Sequence, residues 1–173
     1  IVSTGYETVT INTTSGGTAI SQDVGALTLT ADTSTPAAAT SVVFTGSNVA
    51  TVGVITATTI NASGLSTVGA FNTFVMGGAA VGVTTITGSE GRDTLIGDTS
   101  STINGNGGND TITGGSGTDV LNGGDGNDSI TTGAGSDTVS GGAGNDTITL
   151  AGNLSAADKI DGGDGTDTMS VTN

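Results

Sequence analysis

From residue 105 onward the apolar side chains come singly and nine residues apart: Ile112, Leu121, Ile130, Val139 and Ile148. Most have small polar neighbours on both sides, as in Thr111/Thr113, Ser129/Thr131 and Thr147/Thr149. A polar–apolar–polar triplet is the shortest strand that can turn one side chain inward and two outward. The pattern therefore predicts that the last three residues of each nine form a strand. The first six, rich in glycine, read as loop, because glycine tolerates the positive φ that tight loops need. One aliphatic residue in nine cannot bury itself alone. Repeats of this kind become stable only by stacking, so each unit must lie against others. The arrangement that follows is a flattened coil with two units per turn, loop–strand–loop–strand, its apolar residues meeting inside. Units 18 residues apart then become neighbours.

The clean copies are GNGGNDTIT (105–113), GGSGTDVLN (114–122), GGDGNDSIT (123–131), TGAGSDTVS (132–140), GGAGNDTIT (141–149) and GGDGTDTMS (162–170). GSEGRDTLI (88–96) is an eroded copy with Leu95 at the apolar place. GDTSSTIN (97–104) is one residue short; Ile103 keeps the apolar place, and Thr102 is read at the place where other units carry Asp. LAGNLSAADKID (150–161) is read as a unit whose loop is three residues longer, with Asp158 at the acid place and Ile160 at the apolar place. Met169 closes the series.

Residues 1–87 follow another rule. In GALTLTAD, ATSVVFTG and TTINASGLSTVGAF, Thr, Val and Ile alternate over short runs broken by Gly, Ser and Asn. Such runs predict short strands. They read as an all-β solenoid that continues the same stack without acidic loops. The chain thus divides into residues 1–87, rich in Thr and Val, and residues 88–173, the repeats.

Charge sharpens this division. Thirteen of the sixteen acids lie from Glu90 onward, beside the chain's two cations, Arg92 and Lys159. An acidic balance of this kind argues against nucleic acid as a partner and for cations. With no Cys and no His there are no disulfides, no usual zinc site and no HExxH motif. Tyr6, Glu7 and Asp23 make no catalytic constellation, and the chain is not expected to be an enzyme. No apolar run reaches the length of a membrane span, and no signal peptide is visible. The chain is read as a piece of a longer polypeptide.

One Asp per unit stands at the sixth place. With two units per turn, Asp93, Asp110, Asp128, Asp146 and Asp167 form one column, and Asp119, Asp137 and Asp158 the other. Stacked strands are about 4.8 Å apart. Like charges at that distance repel by about 1 kcal/mol in water and several-fold more at a protein surface. Summed over a column, this repulsion rivals the roughly 5–15 kcal/mol that holds a domain together. A divalent ion between the loops removes it. Calcium suits hard oxygen donors, six to eight of them, in a flexible cage; magnesium demands a stricter octahedron and keeps its waters.

The nonapeptide resembles the glycine- and aspartate-rich calcium-binding repeat of the RTX family, a known parallel β-helix signature. The resemblance implies a right-handed parallel β-roll, an all-β solenoid with calcium ions between adjacent turns. By that resemblance each ion is held by sixth-place Asp residues, in pairs such as Asp110 with Asp128, Asp128 with Asp146 and Asp119 with Asp137. The remaining donors are loop carbonyls around Gly105, Gly107, Gly108, Gly114, Gly115, Gly117, Gly123, Gly124, Gly126, Gly133, Gly135, Gly141, Gly142, Gly144, Gly162, Gly163 and Gly165. Asp125 and Asp164, at the third place, contribute carbonyls rather than side chains. About six Ca2+ ions would fit. Ser89 and Arg92 depart from the pattern in the first loop, and Thr132 replaces a first glycine. The family further implies type I secretion and an extracellular location. The N-terminal half resembles the segment preceding RTX repeats in bacterial surface-layer proteins, where an IDASG-like turn recurs; here it is INASG (60–64), with Asn61 for Asp. This leads to a structural surface protein that associates with itself or with other surface-layer subunits and anchors to cell-surface polysaccharide through parts not present. The rival classes are the accessory module of a secreted protease or lipase, and an adhesin or ice-binding protein whose flat ladder of Thr pairs would be the ligand face.

Overall fold

A computed structural model describes residues 2–4, 8–12, 22–30, 41–46, 50–56, 59–65, 72–76, 85–151 and 154–172. The strands in chain order are β1 (Val2–Thr4), β2 (Thr8–Asn12), β3 (Gln22–Thr30), β4 (Ser41–Gly46), β5 (Ala50–Thr56), β6 (Thr59–Leu65), β7 (Asn72–Met76) and β8 (Thr85–Thr87). The repeats supply β9 (Arg92–Ile96), β10 (Thr102–Gly107), β11 (Thr111–Ser116), β12 (Val120–Asp125), β13 (Ser129–Ala134), β14 (Thr138–Ala143), β15 (Thr147–Ala151), β16 (Lys159–Asp164) and β17 (Thr168–Thr172). Odd-numbered strands make one sheet and even-numbered strands the other, each in strict chain order. Every pairing is parallel, as in β11 with β13 and β12 with β14. The chain is therefore a β-solenoid in which consecutive strands alternate between two facing sheets. Among the described residues no helix is long and apolar enough to cross a membrane.

The repeat strands are longer than the sequence pattern predicts. Strands β10 to β14 and β16 run from the seventh place of one unit to the third place of the next, leaving only the fourth to sixth places as the corner. In β11 burial alternates: Ile112 and Gly114 face inward while Thr111 and Ser116 are exposed. The first-place glycine is thus a core-facing strand position, and the ladder continues through it, Gly115 opposite Gly133 and Ser116 opposite Ala134. A second correction concerns the short unit. Thr102 pairs with Val120 and is exposed, so the residue at the acid place is Ser101, which is buried. The missing residue falls in the loop, because deleting one from the strand would turn Ile103 outward.

The core is a row of single aliphatic residues: Leu95, Ile103, Ile112, Leu121, Ile130, Val139 and Ile148 are all 2% exposed or less. Ile160 is half-buried against them. Met169 lies on β17, the last strand of its sheet, and is 59% exposed. The row continues upstream through Ile86 and Ile60 to a broader cluster with Val42, Phe44, Ala62 and Leu65. Strands of the first half belong to the same two sheets: β8 pairs with both β6 and β10, and β7 with β9. Outward, Thr111, Ser129, Thr147 and Thr168 stand opposite one another, as do Thr113, Thr131, Thr149 and Ser170.

Candidate metal centre

From Asp110 onward each sixth-place carboxylate lies under the turn before it. Its Oδ1 accepts the backbone N–H of the sixth-place residue one turn earlier. Asp93 donates to Asp110 at 2.8 Å, Asp110 to Asp128 at 2.8 Å, Asp128 to Asp146 at 2.8 Å and Asp146 to Asp167 at 2.9 Å. On the opposite edge Ser101 donates to Asp119 at 2.6 Å, Asp119 to Asp137 at 3.0 Å and Asp137 to Asp158 at 2.8 Å. Both columns read from the spacing are therefore present, including the 17- and 21-residue steps. The sixth-place carbonyls continue the ladder, as where Ser129 donates to Asp110 and Thr147 to Asp128.

The other oxygen is treated differently. Oδ2 of Asp110, Asp119, Asp128 and Asp146 is buried and has no hydrogen-bond partner, and these four residues are at most 2% exposed. A buried carboxylate oxygen left unpaired is costly. Burial accordingly pushes the Asp110 carboxyl up to about 8, with Asp93 and Asp128 adding repulsion. It pushes Asp128 up to about 6, with Asp146 adding repulsion. Asp119 is raised by the same desolvation, with Asp137 contributing.

Around each orphaned oxygen the backbone leaves a cradle. A Cβ built on Gly105 would collide with Oδ2 of Asp110 and with the Gly123 carbonyl of the next turn. The same pairing recurs at Gly123 with Asp128 and the Gly141 carbonyl, and at Gly141 with Asp146 and the Gly162 carbonyl. At Gly114 the partners are Asp119 and the carbonyl of Thr132, which is itself buried and keeps its oxygen in place. Carboxylate and carbonyl oxygens thus converge with no proton between them, the donor set of a hard cation. Among the described residues no three acidic side chains form a metal-sized group, so carbonyls must complete any cage.

The third-place acids stand apart. The side chains of Asp125 and Asp164 are exposed, and their carbonyls accept the N–H groups of Gly108 and Gly144. Asn61, at the turn where the resembled family has Asp, accepts hydrogen bonds from the N–H and hydroxyl of Ser63. Tyr6 and Glu7 lie outside the described residues. Sequence reasoning missed the fifth-place asparagines. Oδ1 of Asn109 accepts the Asn127 N–H at 2.9 Å, Asn127 accepts from Asn145 at 2.7 Å and Asn145 from Thr166 at 2.8 Å. Their signal was the recurrence of Asn-Asp on one edge only; the opposite edge carries Thr118 and Ser136 at this place.

A family model of the RTX calcium-binding nonapeptide repeat matches the chain in four copies, over residues 81–101, 97–130, 113–148 and 155–171. No curated protein and no solved structure matched the chain. The matched residues are those that build the stacked corners, the cradles and the two acid columns, and the chain is an RTX repeat protein.

Proposed function

We propose that this chain is the structural, calcium-dependent part of a secreted surface protein, whose repeats fold and assemble when they meet extracellular Ca2+. The observation that carries the calcium part is the set of four buried, unpartnered Oδ2 atoms, each facing a carbonyl of the next turn. In this reading the ligands are sixth-place Asp residues, Asp110, Asp119, Asp128 and Asp146 foremost, and the carbonyls of the loop residues between them. Calcium supplies the positive charge that lets like-charged corners stack. Because it binds the folded form only, it draws folding forward by mass action. The repeats would stay unfolded and exportable at low cytosolic calcium. The proposal divides the chain by loop chemistry, with residues 1–87 as a solenoid free of acidic repeats and 88–173 as the metal-dependent coil.

Circular dichroism of the full chain tests this. Stripped of divalent ions, the protein should lose most of the β signal of its repeats and regain it on adding calcium; an unchanged spectrum would sink the calcium reading. Asp128→Ala should weaken two neighbouring sites at once, since Asp128 lies between Asp110 and Asp146. The surface-layer part is supported by the continuous sheets and the Thr-rich outer face, which suit a long, inert building element. Calcium-dependent growth of ordered arrays, followed by light scattering and electron microscopy, supports it. A protein that stays monomeric at millimolar calcium favours the accessory module of a secreted enzyme.

A further inference from the structure

The eight sixth-place carboxylates are not equivalent. We propose that the protein itself closes the calcium ladder at two of its carboxylates: Ser89 closes Asp93, the Ser155 amide closes Asp158, and neither carboxylate takes an ion. The proposal rests on the calcium reading above and narrows it.

At the first corner, Ser89 donates its N–H to Oδ2 of Asp93 at 2.6 Å, and its hydroxyl lies 2.9 and 3.0 Å from the two carboxylate oxygens. The Gly91 N–H returns to the Ser89 hydroxyl at 3.1 Å. All of these groups are buried. The backbone accounts for the difference from the other corners. The second- and fourth-place residues of the same edge, Asn106 with Gly108, Gly124 with Gly126 and Gly142 with Gly144, all adopt positive φ. Neither Ser89 nor Gly91 does. The first corner therefore turns its amide and hydroxyl onto its own acid, which protein donors satisfy where Asp110 and Asp128 are left with an orphaned oxygen.

The opposite edge reaches the same end by two other routes. Ser101 replaces the acid outright. Its N–H still serves Oδ1 of Asp119, and its hydroxyl lies near Gly97 where other corners carry a carboxylate oxygen. At the far margin the longer loop brings the Ser155 N–H to Oδ2 of Asp158 at 2.7 Å, while Oδ1 keeps its bond from Asp137. These two amides, Ser155 first, hold the Asp158 carboxyl below its usual range.

The consequence is a margin that needs no metal. The turn made by residues 88–104 carries no orphaned carboxylate, yet it presents the amides of Asp93 and Ser101 to Asp110 and Asp119, the first open acid of each column. It acts as a preformed seed: it orients the first carboxylates, and calcium then adds turns beyond it. The ladder holds fewer ions than the spacing of the acids suggests.

Native mass spectrometry of the full chain titrated with Ca2+ alone reads the number of ions. Asp93→Asn and Asp158→Asn should leave the wild-type count, while Asp128→Asn should lower it. Ser89→Gly, which removes the hydroxyl and lets residue 89 take the positive φ of the other corners so that its amide turns away from Asp93, should add one ion. Loss of an ion in Asp93→Asn, or an unchanged count in Ser89→Gly, overturns the sealing of the first corner; loss of an ion in Asp158→Asn overturns the second. Should Ser89→Gly fail to fold, hydrogen exchange on calcium-free wild-type protein decides. Amides of β9 and of Thr102–Asn104 should stay protected while those of β13 exchange, and equal exchange refutes the seed. A wild-type chain that binds no calcium would instead defeat the underlying calcium reading.

Discussion

Strands β4 and β6 and strands β11 and β13 are each a pair of neighbours in the same two-sheet stack, yet they are held by different forces. β6 buries Ile60, Ala62 and Leu65, and β4 buries Val42 and Phe44. β11 and β13 each bury one isoleucine, and the next inward position is Gly114 in one and Thr132 in the other. Fully burying a Val, Leu, Ile or Phe side chain contributes roughly 1.5–3 kcal/mol. The upstream strands therefore gain two such increments apiece, with Ala62 in addition on β6, and the repeat strands one. The repeats have given up the second apolar side chain to make room for a carboxylate oxygen, so their stability depends on what that oxygen binds. Regularity follows the same division. Pairings between β3 and β5, β4 and β6, and β7 and β9 contain register shifts, whereas β11 through β15 pair without any. A hydrophobic core tolerates irregular corners; a column of shared carboxylates needs each corner at the same height.

Removing calcium should break the comparison most visibly. On chelation, amides of β11 to β15 should lose hydrogen-exchange protection by orders of magnitude, while those of β4 and β6 keep theirs. Uniform loss over both regions would mean that the upstream core cannot stand without the ladder.

Core truncation comes next in size. Phe44→Ala should cost about 3–5 kcal/mol and Ile130→Ala about 2–5 kcal/mol when calcium is present. The distinguishing outcome is in its absence, read by denaturant unfolding. The Phe44 effect should persist, and the Ile130 effect should vanish because the strand it stabilises is no longer formed. Equal effects in both conditions would show a single cooperative unit.

The sequence revealed most of this architecture because its information is periodic. The step of 18 residues set the strand pairing, and the Asp-x-apolar spacing placed Asp128 below Asp110 and above Asp146. Strand length was hidden, since glycine at the first place reads as loop although Gly114 is a buried strand residue. The register of the short unit was misread: Thr102 and Ser101 are chemically alike, but the Asp-x-apolar spacing counted back from Ile103 points to Ser101, in agreement with the pairing of Thr102 with Val120. Ser89 looked like a blemish in a glycine position. Its role as a donor to Asp93 depends on a backbone φ that no residue pattern states.

Gly124→Ala should have a smaller effect. Gly124 has φ +109°, and a Cβ there would run into the Asn106 carbonyl of the preceding turn. A left-handed non-glycine residue costs of order 1–3 kcal/mol, and the shifted carbonyl adds to it. The measurement is a calcium titration: the midpoint should move to higher calcium, with the upstream strands unaffected. A midpoint that does not move would show that this close approach relaxes without loss.

The smallest effect separates the two regions by pH. In the metal-free fold Asp110 is pushed up to about 8 and Asp128 to about 6, chiefly by burial, from the ordinary value of 3.8. A group whose folded value is raised binds more protons folded than unfolded, so its contribution to stability is fully present below about pH 4 and is lost as pH rises through 6 and then 8. Protein stripped of divalent ions should therefore show more β signal from its repeats at pH 5 than at pH 9. Calcium must displace the same protons, so its apparent affinity should fall as pH is lowered through that window. Strands β4 and β6 have no titratable side chain, and their hydrogen-exchange protection, corrected for the intrinsic rate, should stay flat from pH 5 to 9. A β signal in the repeats that rises with pH in the absence of metal would mean that the orphaned oxygens are not buried as the cradles imply, and that charge repulsion along the columns is not what calcium relieves.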